Sequence, residues 1–279
     1  MINIGKYHVF SVNEGFMRLD GGAMFGVVPK NLWKKDSSPD DKNRIEIALN
    51  VLVLKSDERT IIVDTGNGNK WSDKQREIYQ VSSVDGGLKG VLMEAGVTAD
   101  SVTDVIYTHL HFDHAGGGTE NKDDGTVGLT FPNATYHVQK KQWNWANSGC
   151  DKDKASYLPE NYIPIEKSGK LHIVDGPMEL FDGIHLETTD SHTVSHQAVR
   201  ISDGMSTVYH CGDIMAILPH IKVPWVMAYD LHPLGTIKAK KKILTDAAEK
   251  GWYLFLSHEP ETPMVKIEKT ERGFRGLPA

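Results

Sequence analysis

The sequence predicts a mixed α/β protein, organised as one domain of residues 1–279 with two strand-rich halves. Three observations predict it. Short apolar, partly β-branched runs recur along the whole chain, each ending in a polar turn. A few segments between them carry helical apolar spacing. No short repeat, low-complexity stretch or linker-like segment divides the chain.

Each element follows from its local pattern. "RIEIALNVLVLKSDERTIIVDTG" (Arg44 to Gly66) reads as two strands around the polar turn "KSDER". "GLKGVLMEAGV" has helical spacing through Leu88, Val91, Leu92 and Ala95, and Gly96 is its stop. "SVTDVIYT" reads as a strand, and "ATYHVQKKQWNWAN" as a strand followed by a helix. "GIHLETTD", "QAVRIS" and "STVYHCGD" are successive strands separated by turns such as "SDGM". "GTIKAKKKILTDAAEKG" is a helix closed by glycine, with Lys238–Lys242 expected on its solvated face, and "WYLFLSHEP" is a short apolar strand running into a polar loop. The polar stretches Asp36–Asn43 and Thr119–Gly125 are expected to be loops.

Composition narrows the function. The net charge of −6 and the lack of a long basic block argue against a nucleic-acid partner, which needs a concentrated cationic surface. Two cysteines, Cys150 and Cys211, cannot form a disulfide framework, and Cys211 at an apolar strand end reads as a buried inert thiol. The N-terminus lacks the pattern of a secretion signal, although a trimmed one is compatible with the sequence, and no apolar stretch approaches the ~20 residues that span a membrane. The expectation is a cytoplasmic protein with no membrane partner.

The densest chemistry lies in "IYTHLHFDHAGGG", which places His109, His111, Asp113 and His114 directly after an apolar run. His109 and His111 alternate, so at an extended strand end both face one way, while Asp113 and His114 address a nearby point. Neutral imidazoles and carboxylates suit zinc and other divalent first-row ions. Further ligand-capable residues sit where other apolar runs end: His192 and His196 in "TTDSHTVSH", Asp213 in "VYHCGD" and His258 in "YLFLSHEP".

Together these motifs resemble the metallo-β-lactamase superfamily. "THLHFDHAGG" matches its T-H-x-H-x-D-H signature; "TTDSHTVSH" resembles T-P-G-H-T-x-G-H, "HCGD" its G-D motif, "LSHEP" its late histidine motif, and "IIVDTG" its early aspartate-bearing strand end. "LDGGAMFGVVPKNLWKK", "HCGDIMAILPH" and "WVMAYDLHP" further resemble the quorum-quenching N-acyl-homoserine lactonase branch, a likeness that organophosphate-hydrolysing relatives share in large part. The resemblance implies a four-layer αββα sandwich of two mixed β-sheets flanked by helices. It implies two divalent cations, zinc above iron, manganese or cobalt. His109, His111 and His192 would hold one, Asp113, His114 and His258 the other, and Asp213 would bridge them. Asp64 and His196 fall on supporting positions.

The implied activity is hydrolysis of a lactone, by attack of a metal-bridging hydroxide on the ring carbonyl, with Asp113 and Asp213 as the catalytic carboxylates. A phosphotriester or aryl ester hydrolase on the same site is the alternative, and an iron-dependent oxidoreductase the more distant one. The expected partner is a small ester or lactone, with a homodimer allowed. Two departures matter. Asp190, Ser191 and Ser195 stand where the motif has proline and two glycines. Ala216 stands where lactonases of the superfamily carry a tyrosine that hydrogen-bonds the substrate carbonyl, and Tyr229 is the expected substitute. Met24 and Phe25, beside flexible glycines, are the expected contacts for an acyl chain.

Overall fold

The computed structural model describes residues 1–279, and the fold class is as expected: mixed α/β, with two mixed β-sheets and helices. The chain forms two compact units, each discontinuous in sequence. The first comprises Met1–Gly15, Leu49–Ile78 and Ser82–Gly176; the second comprises Phe16–Ala48, Tyr79–Val81 and Pro177–Ala279.

The first unit is built on strands β1 (Ile2–Ile4), β2 (Tyr7–Asp20), β3 (Arg44–Lys55), β4 (Thr60–Val63), β5 (Ser82–Ser83), β6 (Asp104–Ile106), β7 (Thr119–Asn121), β8 (Val127–Leu129), β9 (Thr135–Gln139) and β10 (Leu171–Val174). Two of these, β2 and β3, carry residues of both units. The sheet order is β1-β2-β3-β4-β6-β9-β10, with β5 added beside β2. Strands β4, β6, β9 and β10 run parallel, so their C-terminal ends share one edge. Open sheets of this kind bind ligands at that edge. The core beneath packs Val51, Val53 and Ile62 against Leu88, Leu92, Phe131, Tyr136 and Tyr162, all fully or nearly fully buried. The expected helix after Val84 is present at Gly87–Glu94, and Gly96 follows it at φ +74°, the left-handed conformation that ends a helix.

Thr119–Gly125 is a correction. Thr119–Asn121 is not loop but strand β7, paired antiparallel with β8. A turn joins them in which Asp124 Oδ1 accepts from the Thr126 amide and Gly125 adopts φ +81°.

The second unit carries β11 (Met178–Phe181), β12 (Ile184–Thr189), β13 (His196–Ser202), β14 (Thr207–His210), β15 (Tyr253–Phe255), β16 (Met264–Thr270) and β17 (Gly273–Pro278), in that spatial order. Only β14 and β15 are parallel. The helix Pro233–Lys250 provides the long crossover between them that parallel pairing requires, and Gly251 closes it at φ +66°. Its buried residues Thr236, Lys240, Ile243, Leu244 and Ala247 form one stripe at helical spacing.

Lys240 is a second correction. It was expected with Lys238–Lys242 on a solvated face, yet it is 0% exposed. Its amine is tolerated there because Nζ donates to the carbonyls of Lys222 and Trp225, at 3.0 and 2.6 Å. No helix of the chain is long and apolar enough to cross a membrane.

Candidate metal centre

In the first unit, β4 ends just before Asp64 and β6 leads through Tyr107 and Thr108 into His109–His111, after which Phe112–Ala115 forms one helical turn. The ligand-capable atoms of His109 and His111 lie within 4.8 Å of each other, as do those of Asp113 and His114. His109, His111 and His114 are buried, and Asp113 is half-buried.

Asp64 organises this loop from a strained position. It adopts φ +61°, which costs a non-glycine residue about 1–2 kcal/mol. In return Oδ1 accepts from the Thr108 amide at 2.8 Å, and Oδ2 accepts from Thr108 Oγ1 at 2.8 Å and from His114 Nδ1 at 2.9 Å. Thr108 has spent its only hydroxyl hydrogen on Asp64, so at its 3.0 Å contact with His109 it accepts from Nδ1–H. Both rings therefore carry their proton on Nδ1 and present Nε2 as the lone-pair atom. Gly116 and Gly117 complete the loop by approach alone. A Cβ on either would collide with the carbonyl of Asn67 or Thr65 respectively.

In the second unit, β12 runs into His192, β13 begins at His196, β14 leads to Asp213 and β15 to His258. The Asp213 carboxylate lies between two imidazoles: Oδ2 is 3.4 Å from His192 Nε2 and Oδ1 is 3.4 Å from His258 Nε2. The far side of each ring is committed. His258 Nδ1 donates to the Ala48 carbonyl at 2.8 Å, and His192 Nδ1 donates to Asp230 Oδ1 at 3.0 Å. Two Nε2 lone pairs thus face a carboxylate, an acceptor-rich arrangement whose chemistry fits a divalent cation. His196 does not share it. Its Nε2 accepts from the backbone amide of Asp213 at 3.1 Å, which makes it a support of the aspartate.

The departures from the motif have local explanations. Asp190 Oδ1 accepts from the Ser195 amide at 2.7 Å, a turn contact that proline lacks. Ser195 adopts φ +52°, the conformation for which the motif's glycine is suited. Ser195→Gly is therefore expected to stabilise the fold by about 1 kcal/mol or less, seen as a higher thermal midpoint. Ala216 is fully buried, and its carbonyl accepts from the His258 amide at 2.9 Å.

The residues expected to contact substrate lie in the second unit. Met24 and Phe25 are buried, with Phe25 stacked on Trp33 at 5.0 Å between centroids and edge-on to Trp225, and Tyr229 is half-buried. Cys211 is fully buried and burial pushes its thiol well up, so it is inert at neutral pH.

Sequence reasoning passes over two further residues. Asp230 is one. Glu14, on β2, is the other: it is 2% exposed, and its oxygens accept from the amides of Asn67 and Gly68 at 2.8 and 2.9 Å. Burial raises its carboxyl to about 7. Beside it Lys70, lowered by burial to about 8, donates to the carbonyls of Gly116 and Thr119. Glu14 and Lys70 carry no sequence signal, because their partners are main-chain atoms distant in the chain.

Residues 46–258 match the family model described as Metallo-beta-lactamase superfamily. The chain belongs to this superfamily. Among its curated members, an N-acyl homoserine lactonase of Bacillus cereus is 24% identical over 168 residues, 57% of this chain and 60% of that one. One of Bacillus thuringiensis is 26% identical over 164 residues, 55% of this chain and 58% of that one. The chain thus spans somewhat under two thirds of the length of these superfamily relatives.

Among solved structures, a probable metal-dependent hydrolase from Staphylococcus aureus superposes with a TM-score of 0.90 at 27% identity, covering 100% of this chain and 99% of that one. AidC, described as a dizinc quorum-quenching lactonase in complex with a product, superposes with a TM-score of 0.81 at 21% identity, covering 100% and 96%. As a member of the superfamily the chain has the metallo-β-lactamase fold, and each unit carries histidine and aspartate side chains of metal-ligand type.

Proposed function

We propose that this protein is a dinuclear metal hydrolase that opens lactones, with N-acyl homoserine lactones as its substrate class. His109, His111 and His192 would hold one cation and Asp113, His114 and His258 the other, with Asp213 serving both. Zinc suits this mixture of imidazole nitrogen and carboxylate oxygen. The observation that carries the reading is the Asp213 carboxylate flanked at 3.4 Å by the Nε2 atoms of His192 and His258. Each ring is held from behind with its proton on Nδ1. The names borne by the Bacillus relatives and by AidC support the choice of lactone.

Divalent cations held there would supply a water of lowered pKa and Lewis acidity. The protein's own groups do the rest. Water oxygen bonds to the ring carbonyl carbon, the ring C–O bond breaks, and the ring oxygen leaves as alkoxide. An oxygen of Asp113 takes the proton from the attacking water and returns it to that alkoxide, which yields a hydroxy acid. Asp64 keeps the His114 ring from rotating while charge redistributes. The hydroxyl of the half-buried Tyr229 serves the carbonyl in place of the tyrosine absent at Ala216, while Met24 and Phe25, buried against Trp33 and Trp225, present no open surface to an acyl chain.

That alanine also favours a second reading, in which a phosphotriester or aryl ester, activated by the cations alone, is the substrate. A pH-indicator assay of zinc-loaded protein against lactones of graded chain length separates the two. Proton release with the lactones, abolished by exhaustive chelation, is the expected result. Turnover of a phosphotriester with no proton release from any lactone would replace the first reading by the second.

A further inference from the structure

His192 sits in the loop between β12 and β13, and a separate segment grips that loop. Leu231 donates its amide to the His192 carbonyl at 3.0 Å, and His232 donates to the Ser191 carbonyl at 2.9 Å. Between these main-chain contacts and the ring lies Asp230, its side chain 1% exposed, with Oδ1 at 3.0 Å from His192 Nδ1. The segment is itself fixed. Asp230 donates its amide to the Met227 carbonyl at 3.2 Å, and the chain just before it is tied at the carbonyls of Lys222 and Trp225 by the buried amine of Lys240. A buried carboxylate on a doubly anchored segment, aimed at one ring nitrogen, has little freedom to point elsewhere.

We infer that Asp230 is the positioning residue for His192, an inference that rests on the reading of His192 as a ligand. By accepting from Nδ1–H it selects one of two ring tautomers and one ring orientation, and so turns Nε2 toward Asp213. Removing the carboxylate while leaving the backbone grip intact frees both the tautomer and the rotation of the ring. Loss of such a partner costs metal affinity about 10–100-fold. Asparagine at 230 keeps an acceptor oxygen in the same place, so Asp230→Asn retains the orientation that Asp230→Ala loses.

Two measurements on the full chain test this. The first is the affinity for zinc ions, from competition with a chromophoric chelator. The second is the imidazole nitrogen spectrum of metal-free protein at pH 8. The wild type is expected to show His192 as the Nδ1–H tautomer. Asp230→Ala is expected to bind one of two zinc ions about 10–100-fold more weakly, with His192 as a tautomer mixture. Asp230→Asn is expected to recover most of the affinity and the single tautomer.

The inference is overturned by an Nε2–H tautomer of His192 in the wild type, by wild-type zinc affinity in Asp230→Ala, or by equal losses in the two variants. A wild type that binds no zinc overturns the ligand assignment instead, and the imidazole spectra still decide whether Asp230 holds the ring.

Discussion

Asp213→Ala is expected to abolish hydrolysis, with kcat/KM falling by about three orders of magnitude or more, and to lower the metal content of the purified protein. Three decades correspond to about 4 kcal/mol of transition-state stabilisation. A loss of that size follows from position. Asp213 is 6% exposed, and each of its oxygens faces the Nε2 of a different histidine. A methyl group there leaves His192 and His258 without the carboxylate they share. Asparagine offers one oxygen where two are used and is expected to rescue little.

The fold should tolerate the change. In metal-free protein the same substitution removes a buried carboxyl group whose two oxygens face ring lone pairs rather than donors, so the unfolding midpoint is not expected to drop. Steady-state kinetics, elemental analysis and a thermal melt of the chelated protein check the three parts. An active Asp213→Ala protein with full metal content would remove the basis of the proposed chemistry.

The second large effect concerns Glu14 and pH. Its carboxyl titrates at about 7 in the folded chain, raised from the ordinary 4.5 by burial. The folded chain therefore holds this proton more tightly than the unfolded chain. The stability it contributes is fully present below pH 4.5, is lost as pH rises through 7, and is level above that. The gap between those values corresponds to about 3 kcal/mol across the window. Glutamine cannot ionise, so Glu14→Gln should remove this slope.

Denaturant unfolding at pH 5 and pH 8 is the test. The stability difference, wild type minus variant, is expected to shrink by about 2.5 kcal/mol between the two, since pH 5 already lies above 4.5. Parallel pH profiles would show that Glu14 does not titrate there. Glutamine also turns an N–H toward one of the two amides at Asn67 and Gly68, so the variant is expected to be the weaker protein at pH 5.

Much of the site was legible because its residues sit where apolar strand patterns stop. His109, His192, Asp213 and His258 each follow such a run, and β6, β12, β14 and β15 are strands as read. The supports were less legible. Asp64 was reached through a motif, and nothing in the sequence announces its positive φ. Asp230 lies 38 residues beyond His192, a separation that no local pattern encodes. Lys240 falls on the apolar stripe of its helix, so spacing alone places it inside; the usual exposure of lysine argued otherwise. Its acceptors, 18 and 15 residues back in a loop, reverse that expectation. The strand Thr119–Asn121 was missed because three polar residues show no alternation, and only the partner across the turn reveals it.

Some supports of the site have no side chain to mutate. The carbonyl of Ala48 steers His258, and the amide of Asp213 itself engages His196. Any residue small enough for position 48 would supply the same oxygen, whereas the contacts made at 64 and 230 belong to the side chains themselves. Part of what lies immediately behind the histidines is thus main chain, indifferent to which small side chain it carries.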